Sequence, residues 1–100
     1  MKGEKRLKKG LLINDKDNVA VVLEPVGKDD FIVVQKNKDI QNLTVLEDIP
    51  IYHKIAVADI KQNDYVFKYG EIIGTASKNI KKGEYVHTHN IESTKKNEGE

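Results

Sequence analysis

The sequence predicts an all-β domain of short strands and tight turns. Apolar, β-branched runs of about four or five residues recur along the chain, as in Val19-Ala20-Val21-Val22-Leu23 and Phe31-Ile32-Val33-Val34. Glycine, asparagine and aspartate punctuate those runs where turns are needed. No segment keeps apolar residues at i, i+3, i+4 and i+7 over three turns, so no long helix is expected. One hundred residues make one small domain with one modest core.

Residues 1–10 carry five cationic side chains (Lys2, Lys5, Arg6, Lys8, Lys9) against Glu4 and are expected to form a disordered basic tail. Asp15-Lys16-Asp17-Asn18 is turn-like, and 19–23 is a buried strand ending near Pro25. A second strand, 31–34, is reached through Gly27-Lys28-Asp29-Asp30, whose flanks resemble a hairpin loop. Residues 43–46 form a third strand, ending before Pro50. Short strands follow at 55–57, 65–68, 71–76 and 85–88. The polar segment 93–100 reads as a second disordered tail, leaving 11–92 as the folded domain.

The second half contains an internal echo. Asp59-Ile60-Lys61-Gln62-Asn63-Asp64-Tyr65-Val66 matches Asn79-Ile80-Lys81-Lys82-Gly83-Glu84-Tyr85-Val86. Asn63 and Gly83 are the residue types that best tolerate positive φ, so both segments predict the same turn into the same kind of strand. Ile60 and Ile80 are expected to plug the core beneath each turn.

Composition excludes several function classes. The net charge of +1 argues against global polyanion binding, and the basic tail holds no aromatic residue to stack on bases. No apolar run approaches eighteen residues, so no membrane partner is expected. The start of the chain lacks the apolar stretch of an export signal, which points to the cytoplasm. With no cysteine and one arginine, site chemistry falls to the three histidines, the lysines and the tyrosines.

The histidines lie in two strings, Ile51-Tyr52-His53-Lys54 and Tyr85-Val86-His87-Thr88-His89-Asn90. On a strand, Tyr85, His87 and His89 share one face, and Val86, Thr88 and Asn90 the other. Two histidines at i, i+2 can chelate a metal or flank an anion, but two ligands are not a site. An exposed strand end with hydrogen-bonded histidines is the commoner use of that pattern. His53 alternates with Ile55 and Val57, and Lys54 with Ala56. A histidine at the edge of a core favours its neutral form, which suits a general base. A core-edge histidine satisfied by a backbone carbonyl is the commoner outcome. Gly70, in Lys68-Tyr69-Gly70-Glu71, permits a tight turn or a close backbone approach to a ligand. These residues by themselves name no reaction.

Taken in order, Tyr52-His53-Lys54-Ile55-Ala56-Val57-Ala58-Asp59-Ile60, Lys68-Tyr69-Gly70-Glu71-Ile72-Ile73-Gly74 and Ile80-Lys81-Lys82-Gly83-Glu84-Tyr85-Val86-His87-Thr88-His89-Asn90 resemble the SAF-type N-terminal domain of the altronate/galactarate dehydratase family. Asp17-Asn18-Val19-Ala20 fits the opening of the same domain, and the resemblance covers roughly residues 10–93. It implies a β-clip fold of bent hairpins. It also implies removal of water from sugar acids with a divalent metal, iron or manganese, held mainly by a much larger catalytic portion. Related two-subunit lyases expel sulfite from sulfolactate, and their small subunit is the alternative reading.

On this resemblance the chain is expected to be a small subunit that completes the active site of a large dehydratase subunit and is inert alone. His53, Lys54 and His87 are the expected catalytic residues. Tyr69, Gly70, Glu71, His89 and Asn90 are the expected sugar-acid contacts, and the metal ligands are left unassigned. A non-enzymatic SAF-type module binding carbohydrate or peptide is the competing class. The His-x-His-Asn ending speaks for the dehydratase branch, because a simple binding surface has no need of it.

Overall fold

Residues 8–36 and 39–93 are described in the computed structural model, and no helix occurs among them. Nine strands form two sheets: β1 (Lys8–Leu11), β2 (Val19–Val22), β3 (Phe31–Lys36), β4 (Asp39–Thr44), β5 (Lys54–Ala56), β6 (Tyr65–Lys68), β7 (Glu71–Ala76), β8 (Tyr85–Val86) and β9 (Ile91–Glu92). One sheet runs β4-β3-β1-β2-β5-β8 and the other β6-β7-β9. The all-β expectation therefore holds.

The first sheet corrects the reading of the N-terminal half. The segment 27–30 does not join a β2–β3 hairpin, because β1 lies between those strands. It pairs antiparallel with β2 (Gly10↔Val22) and parallel with β3 (Gly10↔Val34). β1 begins inside the basic segment assigned to a tail, and residues 1–7 lie outside the described residues. Its four residues show no apolar alternation, so the strand is held by backbone pairing on both sides rather than by a buried face. Gly10 is buried in that central position, where a Cβ would make a tight 3.3 Å contact with a Val34 methyl. Lys8 closes an ion pair with Asp30 at 2.9 Å. β4 starts at Asp39, before the apolar run at 43–46, and pairs with β3 through Lys36↔Asp39.

Strand alternation splits the interior into two cores. On β5, Ile55 faces a cluster with Val22, Ile32, Val34 and Ile49, while Ala56 faces a second with Val66, Ile80 and Val86. The ladder β2-β5-β8 is thus the wall between the cores, and its free end carries the histidines.

The echo proves to be four turns rather than two. Residues 26–32, 49–55, 60–66 and 80–86 follow one scheme, with a buried aliphatic at the first position and a positive-φ residue at the fourth. Asp29 (φ 77°), Tyr52 (70°), Asn63 (79°) and Gly83 (97°) occupy that fourth place. The turns join in pairs through antiparallel bridges, Val26 with Ile49 and Ile60 with Ile80. In the second pair the partners cap each other reciprocally. The Asn79 side chain accepts the Gln62 N–H, and the Asp59 side chain accepts the Lys82 N–H, both at 2.9 Å. Ile60 and Ile80 are buried beneath, as the echo predicted.

The fifth position is acidic in three of the four turns: Asp30, Asp64 and Glu84. In two of them the acid accepts the N–H of the second residue, Gly27 N–H to Asp30 at 2.8 Å and Lys81 N–H to Glu84 at 3.0 Å. In the remaining turn the second residue is Pro50, which has no N–H to satisfy. There the fifth position is His53.

Candidate functional site

Local sequence and ladder register together place the histidines. β5 pairs with β8 through Lys54↔Val86 and Ile55↔Tyr85. Carrying that register one step further sets His53 opposite His87, and their ring centroids lie 5.0 Å apart. The Tyr85 hydroxyl lies 2.7 Å from His53 Nδ1, within hydrogen-bond distance. Tyr85 also stacks on His87, with centroids 5.6 Å apart and planes 9° from parallel, and meets His89 at 5.4 Å. The three histidines thus gather around one phenol.

The strand predicted at 85–88 stops at Val86, and residues 87–90 form a turn instead. The cause is Asn90. It is 2 % exposed, its amide oxygen accepts the His87 backbone N–H at 3.0 Å, and its amide nitrogen donates to the Tyr85 carbonyl at 2.8 Å. Asn90 is therefore the buried plug of the turn, and it also lines the pocket that His89 borders. Strand alternation correctly grouped Tyr85, His87 and His89, but their grouping arises from a turn wrapped on Asn90. His89 is exposed and borders a shallow pocket of about 250 Å³ with Glu47, Lys78, Asn79 and Glu84. That is less than the ~300–1,000 Å³ of typical ligand pockets.

Lys54, on the opposite face of β5 from His53, is half-buried. Burial pushes its ammonium below the ordinary lysine range, and the neighbouring charge of Lys68 adds to the shift. His87 is likewise held below the ordinary imidazole range, first by desolvation and then by Lys54, His53 and His89. His87 therefore favours its neutral form, with a ring nitrogen free to take a proton. Lys68 enters this group from the end of β6. The sequence places it in the Lys68-Tyr69-Gly70-Glu71 string without a role, and its charge acts on Lys54 only through the folded chain.

The predicted Tyr69-Gly70-Glu71 contacts lie on the β6–β7 hairpin, whose two-residue loop has φ of 58° at Tyr69 and 79° at Gly70. Such paired positive angles match a hairpin turn of the I′ type. Tyr69 is exposed, with the Lys68 ammonium 4.9 Å from its ring centroid. Gly70 is engaged from within the fold. Its N–H donates to the buried Asp17 carboxylate at 2.8 Å, and the Tyr69 N–H donates to the same carboxylate at 2.9 Å. Asn18 accepts the Phe67 N–H at 2.8 Å. The Asp17-Asn18 dipeptide thus holds the hairpin in place. Glu71 is exposed and pairs across the ladder with Lys68. Among the described residues, no three histidine, aspartate or glutamate side chains come together as metal ligands. The described residues by themselves do not fit a complete metal site.

An all-β domain that draws imidazoles, a phenol and ammonium groups to one sheet end has the makings of an acid–base and anion-binding module. The chain belongs to the altronate/galactarate dehydratase SAF domain family, whose pattern it matches over residues 8–94. It is 36 % identical over 87 residues to altronate dehydratase of Bacillus subtilis (strain 168), covering 87 % of this chain and 17 % of that protein. It is 32 % identical over 87 residues to the (2R)-sulfolactate sulfo-lyase subunit alpha of Chromohalobacter salexigens, covering 82 % of this chain and 92 % of that subunit. It is also 32 % identical over 74 residues to the L-threo-forming galactarate dehydratase of Escherichia coli (strain K12), covering 74 % of this chain and 13 % of that enzyme. The chain thus spans under a fifth of the two dehydratases but nearly all of the alpha subunit. No helix of the described residues is long and apolar enough to cross a membrane.

Proposed function

We propose that this domain forms one wall of the active site of a cytoplasmic carbon–oxygen lyase acting on sugar acids, completed by a separate large dehydratase subunit. The observation that carries the reading is the convergence of His53, His87 and Tyr85 at one end of the first sheet, with the charge of Lys54 acting on His87. Elimination beside a carboxylate needs a base for the α-proton and cations facing the carboxylate as it takes up enediolate charge. Neutral His87 suits the base, and the Lys54–Lys68 pair suits the anion. A half-buried lysine next to a second lysine gains most when an anion sits between or beside them.

The divalent metal of the reaction, iron or manganese, belongs in this proposal to the large subunit. Bound there, it would supply Lewis acidity at the departing oxygen. The chain's own residues orient the acid and exchange the proton. In this proposal His89 and Tyr69, both exposed, contact the polyol.

The near-complete coverage of a sulfolactate sulfo-lyase alpha subunit favours a second reading, in which the same wall serves the elimination of sulfite from sulfolactate. Reconstitution of the chain with the large lyase subunit of its host separates the two. Turnover of altronate or galactarate supports the first, turnover of sulfolactate the second, and the isolated chain is expected to turn over neither. In the active complex, His87→Ala is expected to lower turnover by about 10²-fold or more. Unchanged turnover in that variant removes His87 from the mechanism. Failure of the chain to associate with any large lyase subunit would leave the non-enzymatic binding module as the better description.

A further inference from the structure

The His53–Tyr85 contact carries a chemical polarity that the distance alone does not display. We infer that Tyr85 is the positioning residue that fixes neutral His53 with its proton on Nε2, making His53 the hydrogen-bond donor of the site and leaving His87 as the proton acceptor. This deepens the proposed lyase reading, because it assigns the two histidines opposite roles toward the same substrate.

A hydrogen bond at 2.7 Å between a phenol oxygen and an imidazole nitrogen has one proton between them. A phenol O–H is a much stronger donor than a neutral imidazole N–H, and an unprotonated imidazole nitrogen is a much stronger acceptor than a phenol oxygen. The bond therefore runs from Tyr85 O–H to Nδ1. A neutral imidazole has one N–H, so with Nδ1 accepting, the proton must sit on Nε2. Nε2–H can donate to a carboxylate or hydroxyl oxygen, but it has no lone pair with which to remove a proton.

The surroundings hold this arrangement in place. Tyr85 is fixed from several sides: its backbone is in β8, its carbonyl is held by Asn90, and its ring packs against the core and on His87. His53 is fixed by the turn at Pro50–His53, whose backbone closes through His53 N–H to Pro50 C=O at 3.1 Å. His87 differs in its partners. Its nearest ring neighbours are Tyr85, which meets it face to face, and His53, tilted by 46°. The charged and titratable groups around it are Lys54 from β5, His53 from the preceding turn and His89 from its own turn, and none of them favours a protonated His87. The pair is thus asymmetric, with one imidazole held as a donor and the other kept as a base.

The test uses the full chain labelled with 15N. Long-range imidazole correlations recorded at about pH 8.5, above the ordinary histidine range, report the tautomer of each ring. The expected spectrum shows His53 protonated at Nε2, with Nδ1 as a hydrogen-bonded acceptor. In Tyr85→Phe, the Nδ1 resonance should move to its unbonded position while the backbone spectrum away from the site is retained. A wild-type His53 protonated at Nδ1, or an Nδ1 resonance indifferent to Tyr85→Phe, overturns the inference. The wild-type spectrum decides the polarity even where the variant folds poorly. In the complex with the large subunit, Tyr85→Phe is expected to lower kcat about tenfold with KM little changed, because His53 then samples the wrong tautomer. An unchanged kcat overturns the positioning role. Absence of lyase activity in the wild-type complex would sink the functional reading while leaving the tautomer measurement to stand alone.

Discussion

The Asp17 carboxylate and the Gly70 backbone N–H, 53 residues apart in sequence, are joined by a 2.8 Å hydrogen bond. The same buried carboxylate accepts the N–H groups of Tyr69 and Asn14, so three backbone donors converge on one side chain. That cluster ties the loop before β2 to the tip of the β6–β7 hairpin, next to Lys68.

Asp17→Asn should therefore cost far more than its size suggests. The carboxamide turns an N–H₂ group toward backbone donors and leaves at least one of them unsatisfied. A loss of about 2 kcal/mol is expected, seen as a fall of roughly 10 °C in melting temperature. A change within about 0.5 kcal/mol would show that the cluster contributes little.

Tyr69→Asn should act in the opposite direction on stability. Tyr69 sits at φ 58° in a two-residue hairpin loop where asparagine is preferred. Urea unfolding is expected to show a gain of about 0.5 kcal/mol. The same change should raise KM several-fold in the assembled enzyme if the exposed phenol touches the polyol. An unchanged KM would remove Tyr69 from the substrate surface.

Lys54→Met should stabilise the isolated chain by about 0.5 kcal/mol at neutral pH, a figure reduced because solvent screens the half-exposed ammonium. The sign follows from proton binding. Lys54 is held below its ordinary value of 10.5, so just below that pH the unfolded chain binds more protons than the folded one. Wild-type stability should accordingly rise as pH climbs through that window, and the variant should lose this rise. By the same rule, the lowered His87 makes stability fall as pH drops below its ordinary 6.5. His87→Gln should flatten that acid limb. Titrating denaturation midpoints against pH in the three proteins checks both signs.

Gly83→Ala should unfold the domain more readily than any of these. Gly83 has φ 97°, and a Cβ there would lie 2.4 Å from the Thr44 carbonyl oxygen. Neither the backbone conformation nor the strand end can yield cheaply. A loss of more than about 2 kcal/mol is expected, with an unchanged urea m-value. A loss below about 1 kcal/mol would mean that the turn shifts readily to make room.

Much of the site was legible in the residues themselves. Alternation put His53 with Ile55 and Lys54 with Ala56, and the two cores confirm that sorting of the aliphatic partners. It also grouped Tyr85 with His87 and His89, although the strand ends at Val86. The turn at 87–90 was not legible because an i, i+2 pattern cannot tell a strand end from a turn wrapped around a buried amide. Tyr85, penultimate in the duplicated motif and two residues before His87, was legible as the neighbour of His87 and His89 but not as the partner of His53. The other two turns, at Val26 and Ile49, escaped notice because Asp29 and Tyr52 replace asparagine and glycine at the positive-φ place.

By itself the sequence determined what depends on near neighbours. These are the β class, the two related turns with their buried isoleucines, the β6–β7 hairpin and the faces on which the histidines lie. The steric preferences of glycine and asparagine and the alternation of side chains act within a few residues, so they can be read in order along the chain. Only the tertiary structure decided that the basic segment at Lys8 supplies a central strand, that Asp17 holds a hairpin far along the chain, and that Tyr85 bonds His53 while Lys68 approaches Lys54. Those facts rest on hydrogen bonds and charges between residues remote in sequence. Their energies come from the burial and register of the assembled sheets, which no local pattern encodes.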